Sequence, residues 1–164
     1  MSLEPFAIRI EDDAILDLKQ RLRNTRLSED LGDGSGNRHG IDHQWFSSLL
    51  SYWAEEYDWR DAERTMNSFA HYRVIMDGRP IHFLRAKGVG DRAMPLVLTH
   101  GWPWTFWDWK DMIGPLNDPA AHGGNEGDAF DVIIPSLPGF AFSTPQSGRE
   151  IGVRDWQALG SADA

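Results

Sequence analysis

The chain has 164 residues, 41% of them hydrophobic, no cysteine, and a formal charge of −9 from 16 basic and 25 acidic side chains. That length suits one ordinary domain, the lack of cysteine excludes disulfides, thiol catalysis and cysteine-bound metals, and the acidic balance argues against a nucleic-acid partner. No apolar run approaches the ~20 residues that span a bilayer, and Met1–Pro5 has neither a basic nor an apolar signal region, so a soluble, cytoplasmic protein with no membrane partner is expected.

The N-terminal third reads as helical. Phe6, Ile8 and Ile10 alternate with polar or small residues and predict a short extended lead-in. Asp12 or Asp13 is the expected N-cap of a first helix, with Ile15, Leu18 and Leu22 on one face and Lys19, Gln20, Arg21 and Arg23 on the other. Residues 32–37 form a loop by composition. Asp42 then caps a second helix whose stripe of Trp45, Phe46, Leu49, Leu50 and Trp53 must cover something large. The chain holds 8 tryptophans. Each is bulky and needs a partner for its N–H, so the enrichment points to an aromatic-lined pocket as well as to core packing.

The period changes in the middle. Tyr72, Val74 and Met76 precede Asp77-Gly78, and Ile81 and Phe83 follow, the strongest short-range signal for a hairpin. Pro80 belongs at a strand start or edge because it cannot donate to a ladder. Leu96–Thr99 reads as a strand buried on both faces. Thr105 and Asp108 fit a capping box, followed by an apolar stripe of Phe106, Trp109, Ile113 and Leu116 that Gly114-Pro115 ends or bends. Phe130–Ile134 is a second buried strand. Strand, helix, strand at this spacing is a βαβ unit and implies a parallel α/β sheet.

Two segments carry chemistry. His100-Gly101-Trp102-Pro103 follows one strand and precedes a helix, at the strand end where open α/β sheets bind ligands. Gly101 permits close backbone approach and Pro103 restricts Trp102, so the turn can hold backbone N–H groups as an oxyanion site requires. It can equally be a tight connection with no further role. Pro135–Ser143 follows the next strand as a rigid loop carrying Phe140 and Phe142. His39 and His43 are separated by Gly40 and Asp42, so no helix face presents both. His71, His82 and His122 are scattered, with His82 packed in the hairpin. No metal site and no cofactor are expected. Gly32–Gly36 lacks a Ser at its centre and fits no phosphate-loop or dinucleotide pattern.

Together the segments resemble the N-terminal part of an epoxide hydrolase of the microsomal type, in the α/β-hydrolase fold. The resemblance rests on Tyr57-Asp58-Trp59-Arg60, Glu63, Asn67, Phe69, Asp77-Gly78 and Ile81-His82-Phe83. It rests also on His100–Pro103 with Phe106, and on Asp131–Phe140. It covers roughly residues 5–145. The order and spacing of the last two stretches are specific, whereas His-Gly-x-Pro alone is shared with dehalogenases, esterases and other α/β hydrolases. Trp104 stands where the family usually has a small residue, and Ala141 where it usually has Gly. Met1–Leu3 offers no hydrophobic anchor, so the membrane attachment of some members is not expected here.

The resemblance implies a helical segment at 1–68, the first strands of an α/β-hydrolase sheet at 69–150, and an irregular tail at 151–164, as a truncated α/β chain. It also implies a two-step hydrolysis. A carboxylate opens a small apolar epoxide while cap-domain tyrosines polarise its oxygen, and a His paired with an acid activates water against the ester. Only the oxyanion loop matches here. The Trp102 backbone N–H would be one oxyanion donor, and Trp102, Pro103 and Phe106 would contact substrate. His100, Gly101, Pro138 and Gly139 would shape the loops. Asp155-Trp156 is the one tempting nucleophile match, but Arg154 and Gln157 flank it where an elbow needs glycines. The stretch from Gly139 is also too short for a crossover helix and a strand. The chain alone is therefore expected to be inactive, with a bare sheet edge after the Val132 strand open to self-association or a complementary fragment. A non-catalytic binding module, or a small esterase or dehalogenase-like enzyme using Asp155 or another carboxylate, are the alternatives.

Overall fold

The computed structural model describes residues 3–29, 38 and 40–144. They form two compact units, one of Ile8–Arg64 and one of the remaining described residues. The readings made for Gly32–Gly36, His39 and Asp155 lie outside the described residues.

The Ile8–Arg64 unit is helical. Helix α1 spans Asp12–Arg23 and α2 spans His43–Glu55. Neither Asp12 nor Asp13 caps α1: both already lie in its first turn, and the capping position falls to Glu11, whose side chain makes no cap bond. Asp42 does cap α2, accepting from Trp45 N–H at 2.7 Å. The broad stripe of α2 divides into two rows. Phe46, Leu50 and Ala54 turn inward, whereas Trp45, Leu49 and Trp53 are exposed. One helix neighbour covers only one such row. Helix α3, Trp59–Met66, was not anticipated. Its Arg60 pairs with Asp12 and with Glu63, and buried Glu63 accepts Ile10 N–H at 2.7 Å. Burial pushes the Glu63 carboxyl up, but the Ile10 N–H and Arg60 outweigh it and hold the group below its ordinary value.

The second unit is built on one five-stranded sheet in the order β1-β2-β3-β5-β4. The strands are β1 Glu4–Phe6, β2 Ala70–Met76, β3 Arg79–Ala86, β4 Met94–Val97 and β5 Phe130–Pro135. Asp77 and Gly78, at φ 49° and 77°, turn β2 into β3 with both residues left-handed, as the tightest hairpins require. Pro80 sits second in β3. Only β4 and β5 are parallel. Between them lie a short 3-10 turn, Phe106–Trp109, and helix α4, Lys110–Asn117, which runs on past Gly114-Pro115. The predicted single helix is thus two pieces.

Register places His71, His82, Leu84, Val132 and Ile134 on one face, where Phe106 and Ile113 also bury their side chains. The opposite face stays half-exposed, with Tyr72 stacked on Phe83 and Arg85 paired to Asp131. Two expectations fail here. β4 is not buried on both faces: Met94 and Val97 are exposed because β4 is the edge strand. The Val132 strand, β5, is no edge but lies between β3 and β4.

Two glycines separate conformational from steric cost. Gly78 has open space around its missing Cβ, so Gly78→Ala is expected to lose about 1 kcal/mol through backbone strain alone. A Cβ at Gly88 would stand 2.6 Å from the Phe130 carbonyl oxygen on β5. Gly88→Ala is expected to lose about 2–3 kcal/mol. Urea midpoints measure both, and equal losses would contradict this packing.

Candidate active site

Parallel pairing puts the carboxyl ends of β4 and β5 side by side, and each strand hands its chain to a chemically interesting loop. Leu98 N–H extends the ladder to Ile133 O at 2.9 Å before the backbone leaves the sheet. The β4 loop is then closed on itself. Trp104 N–H donates to Gly101 O at 3.1 Å, and the Trp102-Pro103 peptide within that turn is cis. Thr105 accepts from Trp107 N–H and starts the 3-10 turn.

The β5 loop is tied at both ends to β3. Ser136 N–H donates to His82 O at 2.8 Å, and His82 N–H donates to the Ser143 hydroxyl at 2.9 Å. That hydroxyl donates in turn to Ser136 O. Gly139, at φ 85°, closes the loop through its N–H to Ser143 O at 3.0 Å. Ala141 has φ 42°, a left-handed conformation that favours glycine. This is where the resemblance noted the family's usual Gly.

His100 joins the two loops. Its Nε2 accepts Leu137 N–H at 3.1 Å, and its Nδ1 lies 2.9 Å from Gly101 O. A carbonyl only accepts, so Nδ1 carries the proton and the ring is neutral. Phe140 packs edge-on at 5.2 Å, and His100 is buried. His100, Gly101, Pro138 and Gly139, the residues expected to shape the loops, lie in the two loops that His100 joins, with Pro138 buried. Trp102 and Pro103 are exposed, Trp102 82% so. Among the described residues nothing accepts from Trp102 N–H. Phe106 is placed differently from the expected pocket wall. It is 2% exposed, its ring 5.0 Å from His82 and 6.0 Å from Phe142 inside the core.

A family model described as epoxide hydrolase N terminus matches residues 3–109, more than half of the chain. The chain belongs to that epoxide hydrolase family. It is 46% identical over 143 residues to a provisionally named epoxide hydrolase of Stigmatella aurantiaca, covering 86% of this chain and 32% of that protein. It is 35% identical over 150 residues to epoxide hydrolase 1 of Oryctolagus cuniculus, covering 89% of this chain and 33% of that one. The Aspergillus niger epoxide hydrolase structure superimposes with a TM-score of 0.81 at 27% identity, over 98% of this chain and 42% of that one. The chain spans about a third of the length of the curated relatives it matches, and its architecture is the N-terminal portion of the epoxide hydrolase α/β fold.

The sequence reading missed Ser136 and Ser143 and left His71 and His82 apart. The structure stacks those two imidazoles, Nδ1 of His71 3.0 Å from Nε2 of His82. A signal was available: the Asp77-Gly78 turn pairs His71 with Leu84 and Arg73 with His82, which makes the histidines diagonal neighbours on one face. Among the described residues no group of three His, Asp or Glu side chains could hold a metal ion, and no helix is long and apolar enough to cross a membrane.

The acceptor role of His100 is testable. His100→Ala leaves Leu137 N–H without a partner and is expected to cost about 1–3 kcal/mol. Gln carries an acceptor oxygen near the position of Nε2, so His100→Gln is expected to lose less than half as much. Urea denaturation reads both, and equal losses would remove the acceptor role.

Proposed function

We propose that this chain supplies the oxyanion-loop part of an epoxide hydrolase that converts a small apolar epoxide to a vicinal diol. The observation that supports the reading is the joining, through His100, of the two loops that follow β4 and β5, one of which carries Trp102. In the proposed reaction a carboxylate oxygen attacks a ring carbon, the ring C–O bond breaks, and the released alkoxide takes a proton. Water then adds to the carbonyl of the resulting ester. Trp102 N–H donates to the oxyanion of that tetrahedral adduct, which collapses to diol and carboxylate.

His100 serves here as a scaffold, since both its ring nitrogens are committed within the loops. The exposed Trp102 indole and Pro103 form wall for an apolar substrate, and Phe106 supports the loop from the core. The described residues contain no matched nucleophile elbow, so the 164-residue chain is proposed to be inactive alone. A cytoplasmic location and an absence of bound cofactor belong to the same proposal. Among the described residues β4 is an edge strand, which favours addition of a further strand, from the same protein, a complementary fragment or a second copy.

A chimera tests this reading: the Stigmatella aurantiaca relative with its matching N-terminal portion replaced by this chain. It is expected to form diol from styrene oxide, whereas the chain alone forms none. Trp102→Pro removes the N–H and is expected to lower kcat of the chimera by about 10²-fold. A folded chimera without diol formation, or turnover by the chain alone, contradicts the proposal.

A further inference from the structure

Beneath the two loops lies a buried polar cluster that the proposed reaction does not use. His71, His82, Ser136 and Ser143 are each at most 4% exposed. His71 Nε2 is 2.8 Å from Met66 O, His71 Nδ1 is 3.0 Å from His82 Nε2, and His82 Nδ1 is 2.8 Å from the Ser136 hydroxyl. Donor and acceptor roles follow from one end. Met66 O can only accept, so His71 Nε2 donates. In a neutral ring His71 Nδ1 is then a lone pair, which makes His82 Nε2 the next donor. His82 Nδ1 is left as a lone pair in its turn, and the Ser136 hydroxyl donates to it. Every hydrogen bond points the same way, from the β5 loop through β3 and β2 to the end of α3.

We propose that His71 and His82 are positioning residues for the loop Ser136–Ser143, joined in a neutral, one-way hydrogen-bond chain that acid reverses. The loop they hold carries Leu137, whose N–H is the donor to His100. Seating of the β4 loop thus depends on two imidazoles that touch no substrate. One proton taken up at His71 Nδ1 turns that atom into a donor. His82 must then accept at Nε2 and donate at Nδ1, and the Ser136 hydroxyl must change from donor to acceptor. The same proton therefore reverses each link up to the loop.

The surroundings oppose that proton. Phe6 of β1, Phe106 of the 3-10 turn and Phe142 of the loop pack on His82, at 5.2, 5.0 and 5.2 Å between ring centres. The charged group facing the pair is Arg73 of β2, its guanidinium 4.5 Å over the Phe6 ring and donating to Phe142 O at 3.2 Å. Among the described residues no carboxylate acts on either ring. Burial first, then His71 and Arg73, push His82 down to about 3. Burial likewise lowers His71, against the Met66 carbonyl that raises it. In the unfolded chain both rings bind protons near pH ~6.5, and the folded chain resists until lower pH. The pair's stabilising contribution is therefore complete above pH ~6.5 and is lost as pH falls toward about 3.

Nitrogen-15 NMR of the 164-residue chain with labelled histidine tests the proposal, because ring couplings identify the protonated nitrogen. His71 and His82 are expected as neutral Nε2–H forms that resist protonation below the ordinary imidazole value, and His100 as Nδ1–H at neutral pH. Either His71 or His82 as Nδ1–H, or titrating near ~6.5, would overturn the chain. His71→Asn keeps an oxygen for His82 Nε2–H and is expected to preserve that form, whereas His71→Phe is expected to release it. Should His71→Phe not fold, Ser136→Ala probes the other end. It is expected to leave both tautomers in place while Leu137 N–H exchanges with solvent about tenfold faster or more. Unchanged exchange would overturn the positioning role. The catalytic consequence rests on the oxyanion-loop reading, but these signals involve no substrate. Wrong tautomers overturn this inference alone, and an inactive chimera overturns that reading alone.

Discussion

The hydrogen bond from Leu137 N–H to His100 Nε2 is the contact on which the site depends. Backbone leaving a sheet loses its ladder partners, and buried N–H groups must find others. Here the first amide beyond Ser136 finds an imidazole from the neighbouring strand's loop. That imidazole spends its remaining proton on Gly101 O, within its own loop. Two connections that could each adopt many shapes thereby hold one. A neutral His suits this task because it offers one donor and one acceptor on opposite sides of a rigid ring.

The same device recurs one layer below with opposite polarity. His100 carries its proton on Nδ1, facing Gly101 O, while His71 carries its own on Nε2, facing Met66 O, and imposes the same form on His82 through its Nδ1 lone pair. The sheet face around them is apolar: Leu84, Val132 and Ile134 are fully buried. Imidazoles in such a setting stay uncharged and must satisfy both nitrogens or destabilise the core. Ser136 and Ser143 complete the count on the loop side, where an apolar residue would leave His82 Nδ1 unpaired.

Much of this was legible in the sequence, for identifiable reasons. Asp77-Gly78 fixed a hairpin because few residue pairs tolerate two left-handed conformations. The spacing of the His100 and Ser136 segments fixed a βαβ crossover, which β4 and β5 realise as a parallel pair. What was misjudged depended on neighbours. Leu96 and Val97 have the composition of an interior strand, but composition does not say whether another strand lies alongside. The α2 stripe contained two rows, and only the partner decides which is buried. Helix α3 is short and strongly charged, with only Trp59, Ala62 and Met66 as its apolar row and with Arg60 paired to Glu63 beside it, so its periodicity is easily overlooked. In the candidate site, the resemblance pointed to His100, Gly101, Pro138 and Gly139, and the structure brings these four residues together in the two loops that His100 joins. Their link through Leu137 was not legible, because a backbone donor leaves no mark in the sequence. Phe106 carries the periodicity of a helix stripe, and whether that stripe meets a pocket or the core is decided by the His82 and Phe142 rings around it.

The central claim is that the two strand-end loops form one hydrogen-bonded assembly through His100. The most direct measurement is the scalar coupling across that hydrogen bond, between the Leu137 amide nitrogen and His100 Nε2, in uniformly nitrogen-15-labelled protein. The account predicts a resolved coupling, together with slow solvent exchange of the Leu137 amide. No coupling, with exchange at the rate of an open loop, would contradict it.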